Sequence, residues 1–366
     1  MILRDKFNFT QNVKEVFYMK IKWGVIGCGG IAYRRTIPGM MLSENSELVA
    51  VMDTNYDAAV KVKEEFGAKY AFDNIEDVLA IDEIDAVYIA TPVFCHKEQA
   101  FAAANAGKHI LLEKPMGLTV EESEEIAEFC KAKGVKLGVG LMMRFSAYHQ
   151  KMKELISGGA LGDIVSMRAQ LTCWYPEIPG NWRQNKALSG GGALMDMGIH
   201  CIDLLQYISG AKAEKVSCFA GNQTFNYSAD DSAALLMKMD NGATAYVDSN
   251  FNIPDNAARC RIEFYGTKGS ILAEGTISQV ETGKIELTLS DDSAGYNAQQ
   301  NREDEEAASS VEVVTGNMYE KEISSFANAI LNDTAVEITA EDGIFVQKIV
   351  EKAYEASDKG CIVNVL

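Results

Sequence analysis

Residues 24–32 read GVIGCGGIA, and these nine positions decide how the first part of the chain folds. The apolar run Ile21–Ile26 predicts a buried strand that stops at Gly27. A helical pattern opens near Gly30 and continues to about Leu42. Glycines between a strand and a helix suit a turn that cradles a dinucleotide phosphate. Gly27 permits the tight turn, and Gly29 permits close backbone approach. Gly30 and Ile31 open the helix, whose unpaired amides face phosphate oxygens. Ala32 stands where the simplest fingerprint has a third glycine, and it is small enough for helix–strand packing. Alone, the motif is weak. Its context gives it meaning.

The next strand, ELVAVMD, ends at Asp53, about where an acid meets the adenosine ribose hydroxyls. Thr54 and Asn55 follow, with no arginine, and a 2′-phosphate would face a carboxylate. NAD is therefore expected as cofactor, and NADP is disfavoured. Arg34 and Arg35, on the first helical turn, either reach phosphate or stay solvated. Strand and helix patterns alternate through DAVYIATP, HKEQAFAAANAG, HILLEKP, TVEESEEIAEFCKAKG and KLGVGLMMR. This predicts an α/β fold with a doubly wound, mostly parallel sheet over residues 20–143.

Past Arg144 the pattern changes. One helical segment leads to longer strand-like stretches, including SAALLMKMDNGATAYVDSNF and CRIEFYGTKGSILAEG. The DNG and GTKG turns inside them predict antiparallel hairpins. Residues 144–366 are thus expected to form a second domain, and residues 1–19 an extension or leader ahead of a start at Met19. The polar, acidic stretch at 290–310 reads as a surface loop.

With 366 residues, 47% hydrophobic and 23% charged, the chain has ordinary globular composition. Its net charge of −18 opposes binding to nucleic acid or an anionic membrane. No apolar run approaches the roughly 20 residues that span a bilayer. The eight cysteines include no CxxC pair, which points to reduced thiols in the cytoplasm and to no metal site.

Several residues carry chemistry. Thr91 and Pro92 end a strand where open α/β sheets place ligands, and His96 opens the following helix. A helix-start histidine without a chemical role is an equal reading for His96. Glu113 and Lys114 leave the apolar strand HILLEKP, so Lys114 is either a surface charge or a functional ammonium. In GGGALMDMGIHCIDLL, Asp196 and His200 are four apart and share one face of a helix. They form either acid/base machinery or a buried hydrogen-bonded pair.

In this order, GVIGCGGIA, MD, ATPVFCH, EKP, RF, WR and SGGGALMDMGIHCIDLL resemble the family of glucose–fructose oxidoreductase, inositol dehydrogenase and rhizopine catabolism proteins. The resemblance runs from about Met19 to the C-terminus and is densest over residues 20–205. It implies an N-terminal Rossmann domain and a C-terminal α/β domain whose large, mostly antiparallel sheet mediates dimers or tetramers. It also implies that Lys114, Asp196 and His200 are catalytic and that Trp182 and Arg183 lie near the cofactor with Glu113.

The implied reaction is hydride transfer between nicotinamide and a secondary hydroxyl of a sugar, polyol or glycoside. One variant oxidises C3 of a glycoside to a 3-keto sugar. Two alternatives are a glycosidase-like enzyme using NAD for transient oxidation and elimination, and a non-enzymatic NAD-binding sensor. Tyr148, His149, Trp174 and Tyr175 join Trp182 as candidates to face the carbohydrate, and Arg144 either reaches the ligand or pairs across the domain boundary. The extension and the aromatic loop CWYPEIPGNW depart from the family pattern, so no particular substrate follows.

Overall fold

The computed structural model describes residues 19–290 and 308–366. All but the last residue of the expected extension at 1–19, and most of the acidic stretch at 290–310, lie outside the described residues.

The first sheet is built from β1 (Ile21–Ile26), β2 (Ser46–Met52), β3 (Tyr70–Phe72), β4 (Ala86–Ile89), β5 (His109–Glu113) and β6 (Leu137–Gly140). Its order is β3-β2-β1-β4-β5-β6, and every pair is parallel. This is the arrangement of a dinucleotide-binding sheet, with strand order reversing beside β1. All four residues of β4 are buried, which explains its unbroken apolar sequence. Helices α1 (Ile37–Leu42), α2 (Tyr56–Phe66), α3 (Ile75–Leu79), α4 (His96–Asn105) and α5 (Val120–Lys133) connect the strands. Thr119 caps α5 by accepting a hydrogen bond from the Glu122 amide at 3.2 Å.

After α6 (Ala147–Ser157), the chain enters a nine-stranded sheet through β7 (Ile164–Thr172). Two helices follow, α7 (Lys186–Ser189) and α8 (Ile199–Ser209). The remaining strands are β8 (Ala213–Gly221), β9 (Ser232–Met239), β10 (Thr244–Asn250), β11 (Arg261–Gly266), β12 (Gly269–Glu274), β13 (Lys284–Leu289), β14 (Ser309–Ser310) and β15 (Val363–Asn364). The DNG turn joins β9 to β10 and the GTKG turn joins β11 to β12, both antiparallel as expected. One pair, β7 with β10, runs parallel, so the sheet is mixed although mostly antiparallel.

Two late helices, α9 (Met318–Leu331) and α10 (Ala340–Lys359), tie the halves together. α9 returns to the first sheet, where the Phe326 ring lies 5.7 Å from that of Trp23 on β1. α10 packs against both α5 and β8. Among the described residues no helix is long and apolar enough to cross a membrane.

Candidate active site

A cleft of about 590 Å³ runs from the glycine turn after β1 to the start of α8. At its cofactor end, Gly27 has φ +95°, and a Cβ there would lie 2.9 Å from the Ala90 carbonyl group. The protein itself therefore demands glycine at that position. Gly29 is different, because a Cβ there would meet nothing within 4 Å. The space above it suits a pyrophosphate approaching the backbone, and the residues present fit a dinucleotide.

Gly30, Ile31 and Arg34 line the cleft at the opening of a helix whose second turn, Ala32–Thr36, is π-helical. Asp53 sits beside the turn. Its carboxylate accepts from the Cys28 and Asn55 amides, both at 2.9 Å. Thr91 lines the cleft from the end of β4. The His96 ring is buried, with its two nitrogens 3.0 Å from the Pro115 and Thr91 carbonyl oxygens. Burial lowers its pKa to about 4, so the neutral ring has one N–H and donates to only one of these two carbonyl oxygens.

At the other end, β5 delivers Glu113 and Lys114. Glu113 is buried and accepts from the Tyr88 hydroxyl at 2.6 Å, and burial raises its pKa. Lys114 Nζ donates to the Asp196 carbonyl oxygen at 2.7 Å and to Asp196 Oδ1 at 3.0 Å. Two of its three N–H groups are thus committed, leaving one for a ligand. Burial pushes the Asp196 carboxyl upward, but the charges of Lys114 and Arg183 outweigh it and hold the group below the usual carboxylate range. His200 is buried and lines the cleft, with no hydrogen-bond partner among the described residues. Burial and the Lys114 charge keep its imidazole neutral well below its ordinary range.

The glycine run before Asp196 has a packing cause. A Cβ on Gly192 would lie 1.8 Å from the Asp230 carbonyl oxygen. The Asp230 carboxylate accepts from the Gly192 amide at 2.6 Å, the Leu194 amide at 3.0 Å and the Tyr354 hydroxyl at 2.7 Å. This clamp sets the start of a π-helical turn, Leu194–Gly198, that runs into α8. Asp196 therefore sits on a widened turn and His200 on regular helix, and both reach the same cleft. π-turns of this kind recur at functional sites.

The structure brings Gly30, Ile31, Thr91, His96, Glu113, Lys114, Tyr175, Trp182, Arg183, Asp196 and His200 to one cleft. Pro92 stands just outside it. Four residues weighed for the carbohydrate, Arg144, Tyr148, His149 and Trp174, lie elsewhere. Arg144 is buried in an ion pair, its Nε 3.0 Å from both carboxylate oxygens of Asp203, with Asp342 3.2 Å from Nη1. A buried guanidinium requires such pairing, which takes it away from the cleft. The Tyr148 hydroxyl donates to the Gly283 carbonyl oxygen at 3.0 Å, outside the cleft. Trp174 is exposed and packs edge-on against Phe225, also outside. His149 is wholly buried, with Nδ1 2.7 Å from the Met143 carbonyl oxygen.

Sequence reasoning missed Met195, Met197, Phe251, Ser278 and Gln279, which also line the cleft. Met195 and Met197 flank Asp196 and were legible as its neighbours. Nothing in the local pattern at Ser278 or Gln279 marks a site. Among the described residues no cluster of His, Cys, Asp and Glu could hold a metal ion.

A model of the oxidoreductase family with an NAD-binding Rossmann fold matches residues 21–141, and that of the GFO/IDH/MocA C-terminal domain matches 149–272. Oxidoreductase P35 of Formosa agariphila is 35% identical, over 73% of this chain and 84% of its own. The 1,5-anhydro-D-fructose reductase of Ensifer adhaerens is 28% identical, over 88% of this chain and 92% of its own. The crystal structure of an aldose-aldose oxidoreductase from Caulobacter crescentus superposes with a TM-score of 0.84 at 24% identity, covering 94% of this chain and 99% of that one. The chain belongs to the GFO/IDH/MocA family of NAD-binding oxidoreductases.

Proposed function

We propose that the protein transfers hydride between NAD and a secondary hydroxyl of a sugar, polyol or glycoside. One observation carries this reading. Lys114, Asp196 and His200 come from separate halves of the fold and meet in the cleft that begins at the glycine turn. The 1,5-anhydro-D-fructose reductase relative supports a carbohydrate substrate.

When bound, the nicotinamide supplies the hydride acceptor. His200 removes the hydroxyl proton, because its ring is neutral near pH 7 and no group among the described residues is hydrogen-bonded to its nitrogens. Asp196 is a poor base, since Lys114 and Arg183 hold it ionised. Its part is to orient Lys114. The remaining N–H of Lys114 donates to the same substrate oxygen and stabilises developing alkoxide charge. In the reverse direction the imidazolium returns the proton to a carbonyl oxygen. Asp53, held beside the turn by the Cys28 amide, would meet the adenosine ribose of a bound dinucleotide and so favour NAD over NADP.

The second sheet exposes Phe219, Leu236 and Tyr246 on one face, with Leu236 opposite Tyr246. Such a face supports assembly into a dimer or tetramer through that sheet.

The test is a panel of free sugars, inositols and glycosides assayed for NAD and NADP reduction, with retained cofactor measured in the purified protein. Net NADH formation is expected, fastest where a single secondary hydroxyl such as C3 of a glycoside is oxidised. Cleavage of a glycoside without net NADH would establish transient oxidation and elimination instead. NAD affinity with no sugar-dependent reduction would make the protein a sensor.

A further inference from the structure

Beside the cleft lies a second hollow of about 620 Å³, inside the range of small-molecule sites, about 300–1,000 Å³. Trp182 is a wall of both. The other walls come from the 177–188 segment and, across from it, Asn226 and Tyr227. The chemistry assigned to the cleft makes no use of this space.

The lining selects a ligand class. Among the described residues no lysine, arginine or histidine borders the hollow, and Glu177 does, so a phosphate or carboxylate would meet repulsion without compensation. Several polar groups there are already committed. Glu177 Oε1 accepts from the Asn226 amide at 2.9 Å, and Asn181 donates to the Tyr175 hydroxyl at 2.7 Å. Asn185 Oδ1 accepts from the Ala187 amide at 3.1 Å. Among the described residues this leaves Glu177 Oε2 and the Asn226 side-chain carbonyl as free acceptors. The Asn185 side-chain N–H groups and the Trp182 indole N–H remain as free donors. Sugar hydroxyls both donate and accept, so a mixed set of this kind matches them.

Aromatic walls supply the faces on which sugar C–H groups pack, and they are held in place. Tyr227 stacks on Phe225 with ring centroids 5.5 Å apart, and its hydroxyl donates to the Tyr175 carbonyl oxygen at 3.2 Å. Trp182 is braced edge-on by Phe94, and the Arg183 guanidinium lies 4.4 Å from its ring centroid. Walls already ordered lower the entropic cost of binding.

We propose that this hollow is a second sugar subsite. It takes a neutral glycosyl unit joined to the unit that reacts in the cleft. The substrate class is then a disaccharide or neutral glycoside, rather than a free monosaccharide or a sugar phosphate. This rests on reading the cleft as a sugar oxidoreductase site.

The experiment uses the full chain with NAD, comparing cellobiose, maltose, lactose and sucrose with their component monosaccharides. Wild type is expected to favour at least one disaccharide by about tenfold in kcat/KM. Leu188→Trp fills the hollow from α7, and Asn226→Ala removes a free acceptor. Each should raise KM for that disaccharide about tenfold, leaving kcat and monosaccharide turnover within twofold. Equal use of monosaccharides by wild type, or equal loss on both substrates in the variants, would overturn the subsite. If no sugar reduces NAD, the reading of the cleft fails by itself. Calorimetric titration of the disaccharides into wild type and Leu188→Trp then decides the hollow separately. Binding lost in the variant supports it, and equal or absent binding sinks it.

Discussion

Lys114 Nζ holds Asp196 twice, through its carbonyl oxygen at 2.7 Å and its carboxylate at 3.0 Å, and so fastens the end of β5 to the turn before α8. The ammonium is positioned by both halves of the fold at once. Its spare N–H can point only where that clasp leaves room.

Lys114→Ala should lower kcat about 10²–10³-fold, the usual loss for one donor to a developing oxyanion. Asp196→Asn keeps the carbonyl contact and loses the ion pair, so its loss should be smaller. Steady-state NADH formation measures both. Turnover of Lys114→Ala within a few-fold of wild type would remove the lysine from the mechanism.

The buried histidines are all shifted in the same direction, which gives a clear sign. His200 is depressed by burial and the Lys114 charge, so the active neutral ring persists below pH 6.5. The acid limb of kcat/KM for alcohol oxidation should therefore lie below the ordinary imidazole range. A limb centred above pH 7 would exclude His200 as the base.

His96 and His149 are lowered by burial from 6.5 to about 4. Each contributes stability that is complete above pH 6.5 and is lost as pH falls through about 4, because the unfolded chain binds the proton first. The loss is on the order of 3 kcal/mol for each ring. Urea midpoints should decline steadily between pH 6.5 and 4, and a flat profile would contradict the burial argument.

Two glycines should separate folding from binding. Gly192→Ala drives a methyl into the Asp230 backbone, which cannot yield, so the helix start carrying Asp196 must shift. Stability should drop by roughly 1–3 kcal/mol, as for overpacked sites, and activity should fall with it. The added methyl of Gly29→Ala meets nothing within 4 Å among the described residues. It should leave the melting temperature unchanged while weakening NAD at least tenfold in a fluorescence titration.

Arg144→Leu leaves the Asp203 carboxylate buried without its partner. A cost of about 3–5 kcal/mol in urea unfolding is expected, and Asp203→Leu in the same chain should recover most of it. Failure of the double variant to recover would mean that the Asp342 contact, at 3.2 Å, matters more.

Local signals were enough to name the first sheet and the glycine turn, whereas Lys114, Asp196 and His200 were singled out as catalytic only by the family resemblance. Apolar runs mark buried strands, and turn chemistry marks where strands end, because both act within a few residues. The hairpins at DNG and GTKG were legible for the same reason. The parallel pairing of β7 with β10, and the return of α9 to Trp23, were not. Only packing decided that Arg144 pairs with Asp203 rather than facing a ligand, since a guanidinium taken out of water must find a carboxylate wherever the fold brings one. The same holds for Gly192, whose need for glycine arises from the Asp230 backbone lying against it. Close approach, desolvation and the pairing of distant charges belong to the folded chain, and they turned a set of promising residues into one cleft with an oriented lysine.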